Sequence, residues 1–388
     1  MRTLVERHLL DVVVPFWTRL VDRERGGFYG RVDYDLIVHK NADRGLVQQA
    51  RHLYAFSRLE NHYRDGRFLP YAEAGYRFLV ERMRDPIQGG YVWMSAADGA
   101  VRDPRKVTYG QGFALYAFAE YYKATRSPEA LARATDLFRL IERRATTPSG
   151  GYVEEFDERW HPLVPHLLTD DVEGARYSTN TLLHLLEAYA NLAAAAPHPD
   201  VVASVRTLIR LFLERILQPD GTLSMYFDER FSPIASPRSF GHEIEAAWLI
   251  TEAAQTIDAN DPTIAAATLG IAGRVLAEAI LPDGRVAYGP VHDGIDPTAV
   301  WWVQAEAMVG FLDLDEKAHV PAAHAAAEAT LSFCLANLHD RRPGAEWFWS
   351  VDREGRPNRD RGIAEPWKTP YHLVRALVEI MERLDKVK

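Results

Sequence analysis

Three histidines occupy corresponding places in three apolar segments: His184 in YSTNTLLHLLEAYA, His242 in FGHEIEAAWL and His372 in EPWKTPYH. On a helix His242 and Glu245, three residues apart, share one face with Leu249, while Glu243 points away. Imidazole titrates near neutrality and a neighbouring carboxylate tunes it, so these groups suit acid–base chemistry on a polar ligand. A lone histidine on an apolar face is most often a hydrogen-bonded core residue; three at equivalent places weaken that reading. Further polar and aromatic groups begin comparable segments: Arg51 after GLVQQA, Tyr109 in TYGQGFALYA, Asn180 near His184, Trp301, Trp302 and Glu306 in VWWVQAEAM, and Trp367 beside His372. Tryptophans beside His and Glu suit stacking on a sugar ring, Trp302 and Trp367 more than Trp301, although large aromatics are also core formers. Arg51 and Glu245 would hold hydroxyls, tune a histidine, or only pair with each other. His8, His39, His62, His161, His319 and His324 fall in loops or on outward helices and read as solvated.

Bringing these groups together takes a repeating scaffold. Gly/aromatic segments recur as GGFYGRVDY at 26, GGYVWM at 89, GGYVEEF at 150, DGTLSMYF at 220, DGRVAYG at 283 and AEWFWSVD at 345. The interval is roughly 60 to 70 residues, and six such units account for nearly the whole chain. Between successive segments lie two stretches of helical period rich in Ala, Leu, Glu and Arg, which makes about twelve helices in pairs. The alternating Gly/aromatic segments predict short strands or hairpins. The expected fold is an all-α (α/α)6 barrel, a single catalytic domain over 1–388, with an open solenoid as the alternative. In such a barrel the inner helices all begin at the end that carries the long loops. The chemical residues then share one mouth.

Composition removes other classes. A chain of 388 residues with 47% hydrophobic and 26% charged residues buries a large core, and a net charge of −9 without long single-sign runs argues against nucleic acid or an anionic membrane as partner. Cys334 is the only cysteine, so neither a disulfide nor a multi-thiolate metal site forms within one chain. The N-terminus has no secretory pattern and no apolar run reaches membrane length, which sets the expectation of a cytoplasmic protein. HEIE is not HExxH, and no GxGxxG after a strand, P-loop or GxSxG occurs, so no metal and no cofactor are expected. Convergence of His184, His242 and His372 on one ion is the remaining metal reading.

RGLVQQARHLYAFSRL, NTLLHLLEAY, GHEIEAAWL, WWVQAEA and WKTPYH together resemble the N-acylglucosamine 2-epimerase superfamily, most closely its cellobiose 2-epimerase branch. The resemblance implies an (α/α)6 barrel and reversible interconversion of glucose-type and mannose-type sugars at C2 of the reducing end. It makes His242 and His372 the acid/base pair and His184 a third histidine for ring opening or binding. Arg51, Tyr109, Asn180, Glu245 and Glu306 are expected at the substrate, with Trp302 and Trp367 stacking on sugar. The chemistry agrees: two imidazoles flanking C2 can remove and return its proton, and a cation such as Arg51 stabilises the intervening enediolate. Leu182 and Leu373 stand where the branch commonly has histidine and asparagine, which predicts fewer polar contacts and easier use of free hexoses. An aldose–ketose isomerase, an inverting glycoside hydrolase using Glu245 and Glu306, and a non-catalytic sugar-binding ring are the alternatives. The expected partner is a small sugar, and the expected state a monomer or homodimer.

Overall fold

Proline at the first turns of helices, polar caps and paired glycines punctuate the chain into its repeat. The computed structural model describes residues 1–170 and 172–386. Among these lie twelve helices: α1 (2–18), α2 (Leu46–Tyr63), α3 (69–83), α4 (Thr108–Thr125), α5 (Pro128–Ala145), α6 (Thr179–Ala195), α7 (199–216), α8 (Phe240–Thr256), α9 (Pro262–Ala279), α10 (Trp301–Ala318), α11 (321–338) and α12 (Tyr371–Lys386). The even-numbered helices form an inner ring in which each packs on the next and α12 returns to α2. They are buried almost all round, because one side faces the barrel interior and the other the outer layer. The odd-numbered helices form the outer ring, with one apolar face inward.

The sixth hairpin is assembled from the chain ends, since α1 packs on α12. Helix α1 passes through a π-helical turn at Leu9–Val13, just ahead of Pro15. Pro15 has no N–H to donate, and the wider turn relieves its ring against the preceding carbonyls. The outer helices α3, α7 and α11 also end in π-helical turns.

All six Gly/aromatic segments form the expected tight turns, closed by the antiparallel bridges Val21–Phe28, Arg84–Tyr91, Thr146–Tyr152, Leu217–Leu223, Ile280–Val286 and His339–Trp347. In three units a glutamine on the first turn of the next inner helix clamps the turn with both ends of its amide. Gln49 bonds the N–H and C=O of Phe28 (2.9 and 3.0 Å), Gln111 those of Tyr91 (2.9 and 2.7 Å), and Gln304 those of Val286 (2.8 and 2.7 Å). The amide lies so close that a Cβ on Gly27 or Gly90 would stand 2.7 or 2.8 Å from it, and both residues have positive φ (64° and 72°). At these two turns the second glycine is therefore required, whereas Arg285 stands at the equivalent place in the Gln304 clamp.

Neighbouring units are tied at the mouth by short strands. Arg44–Gly45 pairs with Met94–Ser95, Lys106–Val107 with Glu155–Phe156, Tyr177–Ser178 with Tyr226–Phe227, and Ala299–Val300 with Ser350–Val351. Phe240 N–H donates to Tyr288 C=O (3.2 Å) at the junction between the third and fourth of these pairs, and Val32 exchanges two backbone bonds with Ala364 (2.9 and 3.1 Å) where the last unit meets the first. Six junctions in cyclic order close an (α/α)6 barrel rather than an open solenoid. No helix among the described residues is long and apolar enough to cross a membrane.

Candidate active site

Because every inner helix starts at the same end, their first turns converge on a cavity of about 330 Å³. Arg51, Tyr109, Asn180, His184, His242, Glu245, Trp301, Trp302, Trp367 and His372 all line it, as expected from the sequence. Loops contribute residues that the helical pattern did not reveal: Leu167, Leu168, Asp170, Met225, Tyr226, Tyr288 and Trp349. A cavity of about 370 Å³ opens at the opposite end of the ring, but its charged groups are paired to one another, as in Arg58 with Glu379 and Glu382 and Lys123 with Glu120. Chemistry therefore points to the loop-side cavity.

Each histidine has one nitrogen anchored. His372 Nδ1 lies 2.6 Å from Glu306 Oε1, His184 Nδ1 2.9 Å from Glu187 Oε2, and His242 Nδ1 2.9 Å from the hydroxyl of Ser239, the residue that caps α8. Nε2 makes no hydrogen bond in any of the three among the described residues, although that of His184 lies 4.0 Å from Glu245 Oε1. The carboxylates fix Nδ1–H on His372 and His184, whereas the serine hydroxyl can donate or accept and so permits either tautomer of His242. Burial, with His184 close by, pushes His242 down to about 3, and burial together with Arg51 and Arg375 holds His372 well below its ordinary value. Both are neutral at neutral pH. The Trp302 ring touches both, with centroids 4.8 Å from His242 and 5.6 Å from His372.

The floor is built around Arg375, one turn beyond His372. Its guanidinium binds Glu187 and reaches Glu245 and Glu306, both at 2.7 Å, and it lies over the Trp248 ring. Burial opposes ionisation of Glu187, yet Arg375 and His184 bring it down to about 2. Burial and the nearby Glu306 push Glu245 up to about 7. Glu245, Glu306 and His372 have ligand atoms within 4.8 Å of one another, a grouping different from the three histidines considered from sequence. Arg375 already bridges the two carboxylates, so a metal ion there would compete with a fixed cation.

Arg51 is held differently. It donates to the Tyr109 hydroxyl at 2.9 Å and the Trp367 carbonyl at 3.2 Å, and it has no carboxylate partner among the described residues. Its charge is thus available to an anion formed in the cavity. Burial pushes the Tyr109 phenol up to about 12, so it remains a hydroxyl. Asn180 Oδ1 and Trp301 Nε1 have no hydrogen-bond partner among the described residues, which leaves an acceptor and a donor for a hydroxylated ligand.

Four expectations change. Glu306 does not line the cavity; it lies fully buried behind His372, also accepting from Trp248 Nε1 at 3.2 Å. Leu182 and Leu373 are buried and stand outside the cavity, because each is turned away from the face that carries His184 or His372. His8 is buried, not solvated, and accepts from Trp347 Nε1 at 2.7 Å, and His62 lies half-buried on the inner helix α2, 3.0 Å from Glu382. Arg51 and Glu245 do not pair, since Glu245 is engaged by Arg375.

A closed helical-hairpin ring with anchored histidines over a carboxylate floor defines an acid–base enzyme of the (α/α)6 type. The sequence model of the N-acylglucosamine 2-epimerase (GlcNAc 2-epimerase) family matches residues 27–376. The cellobiose 2-epimerase of Dictyoglomus turgidum is 37% identical over 387 residues, 99% of each chain, and that of Ruminococcus albus is 32% identical over 382 residues, 98% of each. Among solved structures, cellobiose 2-epimerase from Bacillus thermoamylovorans superposes with a TM-score of 0.96 at 38% identity, covering 99% of this chain and 100% of that one. The chain belongs to the N-acylglucosamine 2-epimerase family.

Proposed function

We propose that this carbohydrate 2-epimerase inverts C2 of the reducing-end glucose or mannose unit of a cellobiose-type disaccharide, with His242 and His372 as its acid/base pair. The observation that carries the proposal is the presentation of two Nδ1-anchored, neutral histidines on one cavity beside an arginine with no counter-ion among the described residues. The full-length similarity to cellobiose 2-epimerases supports the sugar class. Asp170, Tyr226, Tyr288 and Trp349 at the loops extend the cavity beyond the catalytic groups, which suits a second ring.

Once the ring has opened, with His184 assisting, the C2 hydrogen is acidic because it is alpha to the C1 aldehyde. A neutral imidazole takes that proton at Nε2. Electrons move into the C2–C1 bond and charge collects on O1, where Arg51 stabilises the enediolate. That negative charge favours uptake of a solvent proton by the second imidazole, which delivers it to the opposite face of C2 and returns to its neutral form, while the first imidazolium loses its proton to solvent. Exchange with solvent resets the pair, and the roles reverse in the other direction.

The hydrolase alternative lacks its geometry. Opposed carboxyl groups about 6.5–9.5 Å apart are needed, whereas Glu245 and Glu306 both lean on one nitrogen of Arg375 and Glu306 is outside the cavity. The cytoplasm, and a monomer or homodimer, complete the proposal; the single, buried Cys334 suits a reducing compartment.

Incubation of glucose, mannose, cellobiose and lactose with the enzyme in heavy water, followed by NMR, tests this reading. The expected result is deuterium at C2 of the epimerised product, and cellobiose the best substrate. New reducing ends without exchange at C2 would refute it.

A further inference from the structure

Lys368 lies between two cavity residues, Trp367 and His372, yet faces away from the cavity and is fully buried. Its ammonium is 2.5 Å from Glu346 Oε2 and is flanked by the rings of Trp17 and Trp301, 5.8 and 5.6 Å from their centroids. Glu346 is itself fully committed: Oε1 accepts from Trp17 Nε1 at 3.4 Å and Oε2 from the Trp347 N–H at 2.7 Å. One ion pair thus joins α1, the last Gly/aromatic turn, the start of α10 and the loop that leads into α12. A buried ion pair seldom adds stability over an apolar pair of equal volume, so its presence calls for another role.

The adjacent residue supplies that role. The Trp367 carbonyl is one of two hydrogen-bond acceptors of the Arg51 guanidinium, the other being the neutral Tyr109 hydroxyl, and the guanidinium also lies over the Phe113 and Tyr371 rings, 4.4 and 4.8 Å from their centroids. These rings confine the guanidinium, and with no carboxylate partner among the described residues, the two acceptors fix the direction of its N–H groups. Lys368 fixes the backbone that carries the first, and the Glu365 N–H, donating to Lys368 C=O at 3.1 Å, closes the same loop.

We propose that the buried Lys368–Glu346 pair is a positioning device for Arg51 that sets where the enediolate is reprotonated. This rests on the 2-epimerase reading above. The intermediate is shared between two outcomes: a proton delivered to C2 gives the epimeric aldose, whereas a proton delivered to C1, with O2 becoming the carbonyl oxygen, gives the ketose. Both conserve atoms and electrons. Arg51 against O1 keeps charge there and directs the proton to C2; a displaced Arg51 relaxes that bias.

Two variants test it: Lys368→Met, which strands the Glu346 charge, and the double variant Lys368→Met/Glu346→Leu, which removes both charges and restores folding if the single variant is unstable. The proposal expects the double variant to melt near the wild type, to form epimer about tenfold more slowly, and to raise the ketose-to-epimer ratio at least threefold. In its crystal structure the Arg51 guanidinium should no longer reach the Trp367 carbonyl. Wild-type rate and ratio in a folded double variant would overturn the proposal, and so would an Arg51–Trp367 hydrogen bond preserved in that crystal structure, whatever the activity. A wild-type protein inactive on every sugar would instead refute the epimerase reading, and the crystal structure would still decide the positioning role.

Discussion

Replacing Glu306 by glutamine tests how His372 is prepared for catalysis. The carboxylate stands 2.6 Å from Nδ1 and is held there by Trp248 Nε1 at 3.2 Å and Arg375 at 2.7 Å. It determines which nitrogen carries the proton and stabilises the imidazolium formed when Nε2 takes the C2 proton. Glutamine fills the same space, but it has lost the charge and can present either an oxygen or an N–H to Nδ1. A hydrogen bond to a charged group contributes about 1.5–3 kcal/mol, which corresponds to about 10- to 150-fold in rate. Burial raises the pKa of Glu306, which weakens its hold as an anion and places the expected loss in the lower part of that range, about 10- to 50-fold. The loss should fall on kcat with KM little changed, because Glu306 does not line the cavity. C2 exchange in heavy water, measured from both epimers on protein whose melting is checked, reads the effect. A kcat within threefold of wild type, or a loss confined to KM, would refute the assigned role.

Ser239→Ala removes both the cap of α8 and the partner of His242 Nδ1; it should cost about 1 kcal/mol of stability and slow C2 exchange about fivefold, seen by denaturant melts and NMR. Leu182→His should destabilise the protein while leaving the kcat/KM ratio of cellobiose to mannose within threefold of wild type, because Leu182 is outside the cavity; a larger change would revive the specificity role read from sequence. Glu154→Gln should stabilise the protein at pH 8 relative to pH 5. Burial lifts Glu154 from 4.5 to about 7, so across that window the folded protein keeps a proton that the unfolded chain has lost, and wild-type stability falls as pH rises, by up to about 3 kcal/mol. Equal differences between variant and wild type at the two pH values would count against it.

The barrel was legible because its repeat is written in residue types that local physics forces. In the first two units the clamping amide leaves room only for glycine at positions 27 and 90, so the GG signal marks those unit boundaries directly. Ring closure was less visible, since the sixth hairpin joins α1 to α12 across the ends of the chain. At the site, residues on the first turns of the inner helices were readable because one periodicity and one direction apply to all six. Tyr226, Tyr288 and Trp349 lie in the recurring Gly/aromatic segments, which mark the unit boundaries but not which of their side chains turn into the cavity, and Asp170 lies in a loop with no such period.

The supporting floor, by contrast, does leave a signal in the chain. His242-Glu245 in HEIE is one of three equivalent pairs, for HLLE holds His184 and Glu187 and HLVR holds His372 and Arg375. Residues at i and i+3 lie on one helix face about a turn apart, so three inner helices that present histidines to the cavity must also bring their i+3 residues together one layer deeper. Two carboxylates meeting there would repel, and Glu306 on α10 adds a third. The arginine at the third i+3 position meets this demand, binding Glu187, Glu245 and Glu306 at once. One guanidinium cannot neutralise three carboxylates, and burial, with the neighbouring carboxylates adding to it, raises the proton affinity of Glu245 and Glu306. A buried carboxyl group with raised proton affinity, Glu245, therefore lies directly beneath the histidines that trade a proton with C2.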